Sequence, residues 1–210
     1  EAKARLSAFS RGEALDRVPL WFTPAGFACD GKADVMALDD DRALAAQVGR
    51  LNHIFQLFPE GDFVPYCGNC DLGQALVPSL FGAGVIVEDS QPPYTEGRLL
   101  QDLERDLPKL RRRIDPDRDG WGPRLKKRIQ RWLEATDFRI PIAVADHQSP
   151  YGVATKLVGN EALMLAMYDT PALAHELLAI ATQAISDVIR AQQRWAGDPS
   201  LILLNEALPV

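Results

Sequence analysis

Asp146 and His147 stand at the end of an apolar run, Ile140-Pro141-Ile142-Ala143-Val144-Ala145, and are followed by Gln148 and Ser149. A histidine beside an aspartate can serve as a general base, because imidazole exchanges protons near neutral pH. The same pair could grip a substrate carboxylate or amide, or simply satisfy neighbouring loops. Cys67-Gly68-Asn69-Cys70 has a zinc-like spacing, and Cys29 is the third thiol of the chain. Three thiolates could hold zinc, but a structural zinc site usually shows a second ligand pair, and none follows here. Asp71 precedes a short helical segment, Gln74 to Phe81, where an aspartate can cap free backbone N–H groups. His53 and His175 fall within helical segments and are expected to be structural or surface residues.

These groups need a scaffold, and its elements alternate along the chain. A short helix is expected over Leu6 to Leu15, then a buried strand at Val18 to Phe22, closed by Pro24 and Gly26. A helix from Asp41 to about Phe58 carries Leu44, Val48, Leu51 and Phe55 on one face, with Asp39-Asp40-Asp41 suited to its positive N-terminal end. Asp62 to Tyr66 forms a second strand, Cys67 to Gly73 a loop, and Val85 to Glu88 a third strand ended by Gln91-Pro92-Pro93. Helices follow at Leu99 to Leu107 and Pro123 to Ala135. Ile140 to Ala145 is the fourth strand, apolar throughout as strands covered on both faces tend to be. Two short helices, Gly152 to Val158 and Glu161 to Tyr168, lead to a long one from Pro171 to Trp195. In that helix Leu173, Leu177, Ile180, Ala184 and Val188 form a stripe. Leu201 to Leu204 is the fifth strand. Strands alternating with helices predict a parallel sheet with helices outside it, in one domain spanning 1–210.

Composition narrows the partners. A net charge of −6 argues against sequence-independent nucleic-acid binding, which needs clustered cations. The one basic run, Arg111-Arg112-Arg113 and Arg124 to Arg131, alternates with apolar residues and is expected to be the solvated face of two helices. No stretch approaches the roughly 18 apolar residues of a membrane span. Three unevenly spaced cysteines make no disulfide framework, and no secretory leader is visible, so a reduced cytoplasmic protein is expected.

Three stretches in order resemble the uroporphyrinogen decarboxylase superfamily, which includes the decarboxylases of haem synthesis and zinc-dependent methyltransferases acting with corrinoid proteins. The first is Arg11-Gly12-Glu13 to Asp16-Arg17-Val18-Pro19-Leu20-Trp21. The second is Gly61-Asp62-Phe63-Val64-Pro65 with Leu80-Phe81-Gly82-Ala83-Gly84. The third runs from Ser149-Pro150-Tyr151-Gly152-Val153-Ala154 through Leu157-Val158-Gly159 and Met167-Tyr168-Asp169-Thr170-Pro171 to His175-Glu176-Leu177-Leu178. The resemblance implies a (β/α)8 TIM barrel. Such a barrel has eight strands and typically about 250 residues. With five strands read here, the chain is expected to be the N-terminal portion of an incomplete barrel, about its first five β/α units.

A barrel places its active site at the C-terminal ends of the strands. Those ends are Thr23 to Cys29, Tyr66 to Asp71, Glu88 to Ser90, Asp146 to Ser149, and Asn205 to Glu206. Asp71, Asp146 and His147 are the candidate catalytic residues, and Phe27, Tyr66, Asn69, Gln148, Tyr151 and Glu206 the candidate substrate-binding ones. In the decarboxylases an aspartate after the second strand stabilises the protonated pyrrole intermediate, a role the resemblance offers to Asp71. Their loop after the first strand carries arginines that bind substrate carboxylates. Here that stretch, Pro24-Ala25-Gly26-Phe27-Ala28-Cys29-Asp30, has none. The missing guanidinium forks disfavour a polycarboxylate porphyrinogen. Three activities therefore stay open. One is zinc-assisted methyl transfer with a corrinoid partner, its zinc ligands lying in the missing half rather than in this chain. Another is cofactor-free decarboxylation of uroporphyrinogen acetates. The third is a non-catalytic barrel binding a tetrapyrrole or corrinoid. A small-molecule or tetrapyrrole ligand, a corrinoid protein and a homodimer are all compatible with the resemblance; nucleic acid and membrane are not expected.

Overall fold

The computed structural model describes residues 4–5, 8–9, 11–18, 39–57, 68–70, 72–88 and 91–203. Helix α1 spans Asp40–Leu57, strand β1 Gly68–Asn69 and helix α2 Leu76–Leu80. Strands β2, Val85–Glu88, and β3, Gln91–Thr95, come next, then helix α3, Leu103–Asp106, continued by a 3-10 turn at Leu107–Leu110. Helix α4 is Gly122–Ala135 and strand β4 Ile142–Ala143. Helices α5, Pro150–Val158, α6, Asn160–Asp169, and α7, Pro171–Ala196, precede a 3-10 turn at Pro199–Leu201 and strand β5, Ile202–Leu203.

The alternation produces the expected parallel sheet, in the order β1-β4-β5. Gly68 pairs with Ile142 and Asn69 with Ala143, while Ile142 and Ala143 pair with Ile202 and Leu203. Ile142, Ala143 and Ala145 are buried, as an apolar run covered on both faces must be. Two of the five expected strands, the fourth and the fifth, are therefore in this sheet, with one correction beside them. Gly68–Asn69, expected to be loop, is strand. The segments at 19–38, 58–67 and 204–210 lie outside the described residues, and with them most of the expected first strand and all of the second.

One strand was assigned to the wrong sheet. Val85–Glu88 pairs antiparallel with Gln91–Thr95 as a two-stranded ribbon, with Val85 opposite Thr95 and Ile86 opposite Tyr94. Glu88 therefore ends a hairpin and not a strand of the parallel sheet. Pro92 and Pro93, expected to end the strand, belong to its partner. In a ribbon both strands are edges, so a proline can turn the side without an N–H outward at no cost. The run is also less buried than a barrel strand: Val85, Ile86 and Val87 are half-buried and Glu88 is exposed. The expected five β/α units thus include one that is not such a unit.

Other boundaries moved for local reasons. The helix expected over Leu6 to Leu15 has given way to a turn by Arg11, where Gly12 adopts φ +68°. The helix expected from Leu99 is shortened to α3, capped by Asp102, which accepts from the Arg105 N–H at 2.8 Å.

The core is one cluster that includes Leu72, Leu76, Leu80, Leu125, Ile129, Leu133, Leu157 and Leu163. Helix α7 packs on α4, α5 and α6. Its buried line runs through Ala174, Leu177, Ala181, Ala184, Val188, Ala191 and Trp195, whereas Leu173 and Ile180 of the expected stripe are only half-buried. Small side chains sit at the centre because they let helix axes approach closely. By length and apolarity alone α7 could cross a membrane, contrary to the reading that no stretch approaches that need. The line of core residues it sets against three neighbouring helices accounts for much of that apolarity.

The basic run is solvated at Arg111 to Arg113, Lys127 and Arg131, as expected, but only its second part is helical and Arg128 is buried. Residues 111–113 are irregular, Arg111 pairs with Glu176 at 2.7 Å, and Arg112 with Asp119 at 2.8 Å. Arg128, on α4, is only 6% exposed and pairs at 3.1 Å with Asp40 of α1. Lys127 meets the same carboxylate at 3.1 Å and Arg131 reaches Asp41 at 3.0 Å, so Asp40 and Asp41 clamp α1 onto α4. Only Asp39 acts as the expected cap, accepting from the N–H groups of Asp41 and Arg42.

Two paired carboxylates set the acid limit of this packing. Buried Asp106 is held far below the usual carboxylate range by hydrogen bonds from Arg105 and then Lys109. At Asp40 burial pushes the carboxyl up, but hydrogen bonds and charge from Lys127 and Arg128 outweigh it and hold the group low. A lowered folded-state value means that the stabilisation is complete above the unfolded carboxyl range, about 3.9, and is lost as pH falls through the folded values. The thermal midpoint is therefore expected to be level from neutrality to about pH 5 and to drop below about pH 4. A midpoint that climbs on acidification contradicts this.

Candidate functional site

In a parallel sheet the C-terminal ends of neighbouring strands lie along one edge, so the segment after β4 starts between the ends of β1 and β5. The Val144 N–H still donates to the Leu203 carbonyl at 2.8 Å, so the ladder to β5 runs one residue beyond the assigned strand. The next N–H, of buried Ala145, donates at 2.9 Å to Oε1 of Gln192 on α7. Gln192 is fully buried, and its Nε2 reaches the Val188 carbonyl at 3.5 Å.

Past Ala145 the chain turns sharply. Asp146 accepts twice from one residue: Oδ1 from the Gln148 N–H at 2.9 Å and Oδ2 from the Gln148 side-chain amide at 2.5 Å. Gln148 is left-handed, with φ +57°, a conformation that costs a residue with a Cβ of order 1 kcal/mol. His147 lies between them, half-buried, with Nδ1 2.8 Å from the Gln148 carbonyl oxygen. Ser149 then caps α5, its Oγ accepting from the Gly152 N–H at 3.0 Å, and Pro150 begins the helix. Asp146, His147, Gln148 and Ser149 thus form one rigid turn between a strand and a helix.

Asn69 is one strand away, opposite Ala143. Its backbone N–H donates to Gln47 Oε1 at 2.7 Å, and its carbonyl accepts from the Gln47 amide, so a side chain of α1 ties that helix to β1. Tyr151 stands apart from the turn. It is exposed on α5 and donates to Asn160 Oδ1 at 2.8 Å. Asp71, Phe27, Tyr66 and Glu206 lie outside the described residues, as does the arginine-free stretch at 24–30.

Cys70 is packed in the apolar core, 1% exposed. Cys29 and Cys67 lie outside the described residues. Among the described residues no group of three or more His, Cys, Asp or Glu side chains could hold a metal ion.

With this geometry in hand, the likeness to known proteins can be placed. The uroporphyrinogen decarboxylase (URO-D) family model matches residues 1–199. The chain belongs to the uroporphyrinogen decarboxylase family. Among solved structures, a methyltransferase from Methanosarcina mazei superposes with a TM-score of 0.62 at 20% identity, over 94% of this chain. The chain spans 56% of the length of that protein. At this identity the match speaks to the fold. No curated protein matched the chain significantly.

Within this family member Gln192 is a residue that sequence reasoning passed over. The signal was present: one amide on the apolar line of α7, four residues after Val188. Replacing it with leucine keeps the bulk but strands the Ala145 N–H in the core. A cost of about 1–3 kcal/mol is expected in urea unfolding. A leucine variant as stable as the parent would mean that Ala145 has another partner.

Proposed function

We propose that the chain is part of a URO-D-family barrel enzyme that transfers a methyl group, with zinc activating the donor or acceptor thiol and a corrinoid-bearing protein as partner. The observation that carries this choice within the family is the sequence Pro24 to Asp30, where no arginine is available to pair with the carboxylates of a porphyrinogen. The likeness to a methyltransferase in fold supports it. The described residues do not themselves make a zinc centre, so the metal would be held by other parts of the protein, and no step is assigned to it here. What this chain contributes is the turn at Asp146–Gln148, a polar, half-buried constellation at the end of β4, where a barrel binds its ligand.

The test uses the intact protein, purified gently and assayed for metal, then for transfer of methyl groups from methylated donors to a corrinoid acceptor. Roughly one zinc per chain and methylation of the corrinoid are expected. A metal-free protein that instead releases CO2 from uroporphyrinogen would overturn the reading in favour of decarboxylation, with Asp71 the residue to replace next. Tight corrinoid or porphyrin binding without any turnover would favour a non-catalytic role.

A further inference from the structure

We propose that Asp146 and Gln148 are positioning residues that lock His147 in its Nδ1–H tautomer, so that Nε2 is the proton acceptor this site presents to its ligand. The inference rests on the reading of the β4 end as the ligand site and deepens it. A backbone carbonyl oxygen only accepts hydrogen bonds, so the 2.8 Å contact between His147 Nδ1 and the Gln148 oxygen requires the proton on Nδ1. In the neutral ring Nε2 then carries the lone pair, and no described residue hydrogen-bonds it.

The carbonyl is aimed by a conformation that Gln148 would not adopt unaided. Its left-handed backbone is held by the two hydrogen bonds to Asp146, one from its N–H and one from its side-chain amide. Each oxygen of Asp146 accepts from Gln148, which gives Asp146 a positioning task. Ser149 fixes the following residue into α5, and Gln192 fixes the preceding Ala145. A turn pinned on both sides can hold an imidazole in one tautomer against the competing water-exposed form. A site built this way recognises a ligand by its donor: an N–H or S–H group is matched to Nε2, while a carboxylate would meet a lone pair.

The experiment reads tautomers directly. The intact protein is labelled with 15N-histidine, His147 is assigned by its loss in His147→Gln, and two-bond 1H–15N correlations are recorded above the titration of the ring. The expected result is Nδ1 protonated and Nε2 bare at His147. In Asp146→Ala the Nδ1–H to Nε2–H ratio is expected to fall by about three- to tenfold, the worth of roughly one net hydrogen bond. Should Asp146→Ala not fold, Asp146→Asn is measured in its place, with a smaller fall in the same direction expected. A protonated Nε2 in the parent, or an unchanged ratio in whichever variant folds, overturns the proposal. Because turnover does not enter, a failed methyl-transfer assay alongside a bare Nε2 would sink the reaction assignment and leave the tautomer lock standing.

Discussion

Replacing His147 with glutamine is expected to lower kcat/KM of the intact protein by about 100- to 10,000-fold, the usual worth of a positioned proton-transfer group. Glutamine keeps a planar polar head of similar reach but cannot take a proton. The fold should be indifferent to the change, because His147 is half-buried and its hydrogen bond reaches only the next residue. The same thermal midpoint and far-ultraviolet spectrum are therefore expected with the loss of rate. A variant within about threefold of the parent would mean that the reaction takes its base from elsewhere.

Trp132→Ala should have the largest effect on stability, about 3–5 kcal/mol. Trp132 is 2% exposed on α4, and its Nε1 donates to the Ile140 carbonyl at 3.0 Å, just ahead of β4. Its ring also lies flush against Gly68 of β1, so that a Cβ at Gly68 would overlap the indole. One side chain thus joins a helix to two adjacent strands of the sheet. Truncation removes the ring, strands the carbonyl and leaves a cavity under both strands. The midpoint of urea unfolding reads the cost. A double-mutant cycle isolates the contact: Gly68→Ala should be costly alone and much less so beside Trp132→Ala, since the space the methyl needs has been vacated. Equal costs in both backgrounds would mean that the strand, not the ring, yields to the added carbon.

Both predictions draw on contacts that no pattern of residue types announces. The apolar run at Ile140 to Ala145, the helical period of Pro171 to Trp195 and the polar residues placed after a buried strand were legible because they depend on neighbours in the chain. The hairpin at Val85–Thr95 was not. An apolar run of three residues looks alike in a parallel sheet and a ribbon, and Pro92 and Pro93 are meaningful only once it is known that their strand is an edge. Arg128 resembled its exposed neighbours on α4 until α1 placed Asp40 against it.

At the site the division is sharper. The sequence determined that an aspartate, a histidine and a glutamine follow a buried strand and precede a capped helix, and it carried the motifs of a family whose barrel puts ligands at such ends. The tertiary structure decided how the three are joined to one another. Asp146 looked as available as His147, yet both its oxygens close on Gln148, and the Ala145 amide just before it is held by a buried glutamine 47 residues further on. The physical reason is that a residue's type fixes what it can donate or accept, while the folded chain fixes which of those capacities are already used.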